Sequence, residues 1–136
     1  MKNKIHVFIA VVVLIVFNNS CAKSFKNTNY EVCFTPKEKC ADLIINEINK
    51  SKKSLLVQAY SFTSAPIAKA LLDAKKRGVD VKVILDKSQF SQKYSSAKFF
   101  MNQEIPLWKD ETVAIAHNKV MIIDNKITIT GSYNFT

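Results

Sequence analysis

The spacing of apolar and polar residues changes several times along the chain, and each change marks an element. Residues 7–17 are almost wholly apolar behind Lys2 and Lys4, and Asn18, Asn19 and Ser20 end that run. Thr35, Pro36, Lys37 and Glu38 form a capping box with proline at the first helical position, and Cys40, Leu43, Ile44 and Ile48 then recur at helical spacing. A helix over 36–51 is predicted. Leu55 to Ala59 is a short apolar run suited to a buried strand. Ile67, Leu71 and Ala74 share a face of a second helix, capped near Ser64, with Lys75, Lys76 and Arg77 against its C-terminal dipole and Gly78 at the stop. Val79, Val81, Val83 and Leu85 then alternate as a strand.

That order of strand, helix and strand implies a parallel pair with a right-handed crossover, and so an α/β fold with a mixed β-sheet sandwiched by helices. Residues 87–103 interleave Phe90, Tyr94, Phe99 and Phe100 with Lys87, Lys93 and Lys98. Such a segment either packs its aromatic side into the core or presents it to bases or to a lipid interface. Further on, Ile105 to Trp108 reads as a strand, Lys109 to Thr112 as a turn and Val113 to Asp124 as a long strand. Asn125 and Lys126 make a hairpin turn, Ile127 to Thr130 returns, and Gly131 breaks the pairing.

The N-terminal pattern is that of a secretory signal. Its apolar run is shorter than the roughly 18 residues a membrane span requires. Ser20 and Ala22 suit cleavage after Ala22, leaving 23–136 as a single domain; Cys21 as a lipid anchor is the alternative. A secreted protein, extracellular or periplasmic, is expected. The chain carries 20 basic and 11 acidic residues, a net charge of +9, of which two positive charges leave with the signal. This favours a polyanionic partner, nucleic acid or an anionic membrane face, though charge also serves solubility. Arg77 is the only arginine, so the attraction is diffuse rather than bidentate. Cys33 and Cys40 either pair in an oxidising compartment or remain two small buried thiols, and their spacing suits no metal site.

The chemistry concentrates near the C-terminus. His117 and Lys119 are two apart on the predicted long strand, which places them on one face while Val120 and Ile122 take the other. Ser132 and Asn134 repeat the spacing just beyond the Gly131 break. Imidazole is a nucleophile, ammonium neutralises phosphate, and hydroxyl and amide groups bind oxygens that gain charge, so the four together suit a phosphoryl group. No clustered carboxylates or histidines suggest a metal or other cofactor.

The string His117, Asn118, Lys119, then Asp124, then Gly131, Ser132, Tyr133 and Asn134 resembles the HKD signature of the phospholipase D superfamily at every position of that signature. Ala59 to Thr63, Ala74 to Val81 and Gly131 to Thr136 look like its small bacterial secreted endonuclease branch, so the resemblance covers nearly all of 23–136. It implies a phospholipase D-like fold and a metal-independent phosphodiesterase acting on phospholipid or nucleic acid. His117 would form a phosphohistidine, and His117 of the partner subunit in a homodimer would protonate the leaving oxygen. With His6 in the signal, His117 is the only histidine of 23–136, so one chain cannot supply both. The catalytic set carried over is His117, Lys119 and Asp124, with Ser132 and Asn134 binding phosphate oxygens. Asp124, on the opposite strand parity and at the hairpin, is expected to orient structure rather than transfer protons. Relatives continue beyond the signature with a strand, an acidic residue that steadies the histidine and a closing helix, so a domain truncated at its C-terminus is expected. The competing function is a noncatalytic polyanion-binding remnant.

Overall fold

The computed structural model describes residues 28–136, so the expected signal sequence, its expected cleavage site and Cys21 lie outside the described residues. The elements are α1 (Cys40–Lys50), β1 (Ser54–Ala59), α2 (Ala65–Lys76), β2 (Asp80–Asp86), a single 3-10 turn over Lys87–Phe90, α3 (Ala97–Asn102), β3 (Leu107–Asp110), β4 (Lys119–Ile123) and β5 (Ile127–Thr130). The strands form one sheet in the order β3-β2-β1-β4-β5. β1, β2 and β3 run parallel, β4 is antiparallel to β1, and β5 is antiparallel to β4. The mixed sheet with helices expected from the sequence is what forms.

Strand alternation divides the sheet into two faces. Leu55, Val57 and Ala59 of β1, Val81, Val83 and Leu85 of β2, and Met121 and Ile123 of β4 are buried on one face in a single cluster with Ile44 and Ile48 of α1, Ile67 and Leu71 of α2, and Phe100 of α3. The chain steps outward from β1 to β2 to β3, so right-handed crossovers put α2 and α3 on the same side of the sheet. Among the described residues the helical cover is therefore on one face rather than both. The other face carries Leu56, Ile84 and Trp108, at 37%, 38% and 49% exposure. Together with Gln58, Val120 and Ile122 they line a shallow recess of about 480 Å³.

Two local readings are corrected. The first helix starts at Cys40, not residue 36: residues 35–38 form a separate turn in which the Glu38 N–H donates to Phe34 O at 3.1 Å. Glu38 does reach back to a backbone N–H, that of Phe34, and Cys33 is joined to Cys40 in a disulfide with a Cα–Cα distance of 5.6 Å. The aromatic segment splits: Phe100 is fully buried while Tyr94 is 76% exposed. The second helix ends as its sequence dictates, since Gly78 takes φ +91° and donates to Lys75 O while Val79 donates to Ala74 O. Arg77 binds a different helix from its own, donating to Ile48 O near the end of α1 and to Ser51 Oγ.

Candidate active site

β1 and β2 end at the same edge of the sheet at which antiparallel β4 begins, with Ala59 paired to Lys119. β5 ends there too, since Thr130 pairs with Val120. Gly131, at φ +155°, then lets the chain leave the sheet. Phe135 O accepts the N–H groups of Thr63 and Ser64, both at 2.9 Å, which docks the C-terminal residues beside the end of β1. His117, Lys119, Ser132 and Asn134 are thus gathered at the carboxyl ends of the parallel strands, where α/β sheets bind ligands.

His117 is not on a strand. The expected strand from Val113 shrinks to Lys119–Ile123, and residues 111–118 form a loop. Polar side chains capture this loop's backbone instead of a neighbouring strand. Asp86 Oδ2 accepts Ala116 N–H at 2.8 Å, Asp110 Oδ1 accepts Thr112 N–H and its hydroxyl, and Lys87 Nζ donates to Val113 O. The consequence is a solvent-exposed His117 beside a Lys119 only 5% exposed.

Lys119 Nζ lies 3.2 Å from His117 Nδ1 and 3.3 Å from Nε2, and donates to the His117 carbonyl at 3.1 Å. Imidazole lone pairs diverge in the ring plane. A nitrogen nearly equidistant from both ring nitrogens must sit over the ring face to clear the carbon between them. Lys119 therefore touches the imidazole from its face and leaves the in-plane side of both ring nitrogens open. Burial pushes the Lys119 amine below the ordinary lysine range. The Tyr60 ring completes the group: its centroid is 4.5 Å from that of His117, tilted by 52°, and 5.3 Å from Lys119 Nζ.

Asn134 Oδ1 is buried without a hydrogen-bond partner among the described residues. Buried polar atoms of this kind mark sites completed by a ligand or by water. Asp124 is not brought to this site. It follows β4 at the end opposite Lys119, five residues and roughly 17 Å along an extended chain. Its carboxylate accepts the N–H groups of Lys52, Lys53 and Ser54 at 2.9, 2.7 and 2.9 Å, tying the hairpin to the start of β1. With φ of 54° and 56°, Asp124 and Asn125 form the centre of that turn. Grouping Asp124 with His117 and Lys119 as catalytic is therefore corrected: its place in the motif is architectural.

Tyr60, Asp86 and the Asn118 carbonyl, which accepts Tyr60 N–H at 2.8 Å, are parts of the site that the sequence pattern did not single out. Asp86 left one signal, a carboxylate directly after the apolar run Val83 to Leu85. Among the described residues, the one grouping of potential metal ligands is Cys33, Glu38 and Cys40, within 4.8 Å of one another. The disulfide consumes both of its thiols, so this group does not fit a metal.

The family described as cardiolipin synthase, PLD-like domain, matches residues 44–136. A phospholipase D from Rickettsia conorii is 45% identical over 104 residues, covering 76% of this chain and 52% of that protein. The crystal structure of Nuc from Salmonella typhimurium, a phospholipase D family member, superposes with a TM-score of 0.71 at 42% identity, covering 75% of this chain and 68% of that one. NucT from Helicobacter pylori gives 0.61 at 27% identity, covering 71% and 67%. The chain thus spans about half the length of the curated relatives it matches. Strand order, the gathering of His117 and Lys119 at one sheet edge, and a match running from α1 to Thr136 lead to one conclusion: this chain belongs to the phospholipase D superfamily.

Proposed function

We infer that the protein is a secreted phosphodiesterase that cleaves P–O bonds through a phosphohistidine. The observation that supports it best is the exposed His117 ring with a buried lysine over its face and the in-plane side of both ring nitrogens left open for chemistry. One ring nitrogen attacks phosphorus, an N–P bond forms, and the P–O bond to the leaving group breaks. His117 of the partner subunit gives its proton to the departing oxygen. It then takes a proton from the water that attacks phosphorus and breaks the N–P bond, releasing a phosphomonoester. Lys119 neutralises the phosphoryl charge, and Ser132 and Asn134 bind its oxygens. A homodimer supplies the second His117, since His117 is the only histidine among residues 23–136.

The substrate is a phosphodiester in a phospholipid or a nucleic acid. Both the phospholipase D name of the Rickettsia relative and the net charge of +9 fit polyanionic substrates. The test incubates the purified chain and His117→Ala with plasmid DNA and phosphatidylcholine vesicles in EDTA, scoring nicked DNA and free choline. Cleavage abolished in His117→Ala is expected, and the product names the substrate class. Folded wild type that binds DNA or anionic vesicles but turns over neither substrate would replace this reading with that of a polyanion-binding protein.

A further inference from the structure

Lys119 lies over the His117 ring face, out of line with the in-plane direction of either ring nitrogen, and no carboxylate or carbonyl among the described residues bonds to them. An imidazole held only by its own backbone would rotate about its side-chain torsions. Catalysis at phosphorus requires one ring nitrogen to be aimed along a defined line. Among the described residues, the side chains in contact with the ring are those of Lys119 and Tyr60.

We propose that Tyr60 is a positioning residue for His117, its ring setting the tilt of the imidazole and closing one side of the His117–Lys119 pair. Tyr60 directly follows β1, and its N–H bonds to Asn118 O at 2.8 Å. The ring is therefore fixed to the peptide next to the histidine it touches. The ring–ring distance of 4.5 Å and tilt of 52° lie in the range of attractive aromatic pairs. An electron-rich ring 5.3 Å from the Lys119 ammonium also favours cationic charge there, and the same field favours the positive charge an imidazole gains as it bonds to phosphorus. The Tyr60 hydroxyl makes no hydrogen bond among the described residues. The working part is thus the ring, and phenylalanine is the conservative replacement.

The catalytic half of this inference rests on the phosphodiesterase reading, and the test separates the two. In the full chain, the His117 Cε1–H proton signal is assigned by its loss in His117→Ala, and compared in wild type, Tyr60→Phe and Tyr60→Leu, with thermal melting confirming that each is folded. The ring current of Tyr60 should displace this signal in wild type and in Tyr60→Phe, and Tyr60→Leu should abolish the displacement. With turnover measured in parallel, Tyr60→Leu should lower kcat about 10- to 100-fold with little change in KM, and Tyr60→Phe should restore it. A His117 signal in folded Tyr60→Leu identical to wild type overturns the proposal, as does an unchanged kcat. If wild type shows no turnover, the phosphodiesterase reading fails and the spectral comparison still decides the positioning role. Should Tyr60→Leu not fold, Tyr60→Met takes its place.

Discussion

Asp86 Oδ2 accepts the N–H of Ala116 at 2.8 Å across thirty residues of sequence, and this bond holds the loop that delivers His117. Asp86 is 3% exposed and its other oxygen accepts Ser88 N–H at 2.9 Å. Burial favours the protonated form, but the hydrogen bonds from Ser88 and Ala116 outweigh it and hold the carboxyl below its ordinary range. The sheet edge and the nucleophile are coupled through one carboxylate.

Replacing Asp86 by alanine leaves the Ala116 and Ser88 N–H groups unpaired where water enters poorly. The loss is about 1–3 kcal/mol of stability. Turnover should fall further than stability explains, because the 111–118 loop loses its anchor. Urea denaturation and kcat of Asp86→Ala, compared at a temperature where both proteins are folded, check this; equal activity per folded molecule would count against the anchoring role.

Asp124 gives a pH prediction of defined sign. The backbone N–H groups of Ser54, Lys52 and Lys53 hold its carboxyl below the ordinary aspartate range. A depressed carboxylate contributes stability that is fully present above the unfolded value and is lost as pH falls through the folded one. Asp124→Asn should therefore be less stable than wild type at pH 7, and the gap should close as pH drops below about 4. Melting temperatures across pH 3–7 test it. Turnover per folded molecule should fall far less than on loss of Lys119.

Lys119→Met should separate stability from activity. Burial depresses the Lys119 amine, so folding disfavours its charged form, and stability should rise with pH through the alkaline range as the folded lysine loses its proton. Methionine removes that dependence and fills similar space, leaving the fold as stable or more so at neutral pH. Loss of the phosphate-neutralising charge should lower kcat about 10²- to 10³-fold. A variant that is both stable and fully active would contradict the role given to Lys119.

Phe62 ties the core to the site. It is fully buried, meets Phe100 and Phe135 edge-on at 5.0 and 5.4 Å, and its N–H is taken by the buried Gln89 side chain at 3.0 Å. Phe62→Ala should cost about 3–5 kcal/mol. Because Phe135 packs on it, the segment bearing Ser132 and Asn134 should loosen as well, which amide exchange at residues 131–136 would report.

By itself the sequence determined the class of fold and pointed to His117 and Lys119 as the candidate site. A short apolar run at Leu55 to Ala59 and a period-two run at Val79 to Leu85, with a helix stopped at Gly78 between them, define a parallel unit because short-range sterics and burial act at those spacings. The His117–Lys119 spacing was equally legible. Tertiary structure decided what depends on partners distant in sequence. Val113 to Asn118 has strand propensity but becomes a loop because Asp86 captures the Ala116 N–H and Lys87 the Val113 carbonyl. Asp124, two strand turns from the chemistry in the motif, became a clamp on β1 because an antiparallel hairpin carries it to the far end of the sheet. Tyr60 met His117 only once β4 paired beside β1, since no local pattern encodes a contact between side chains 57 residues apart.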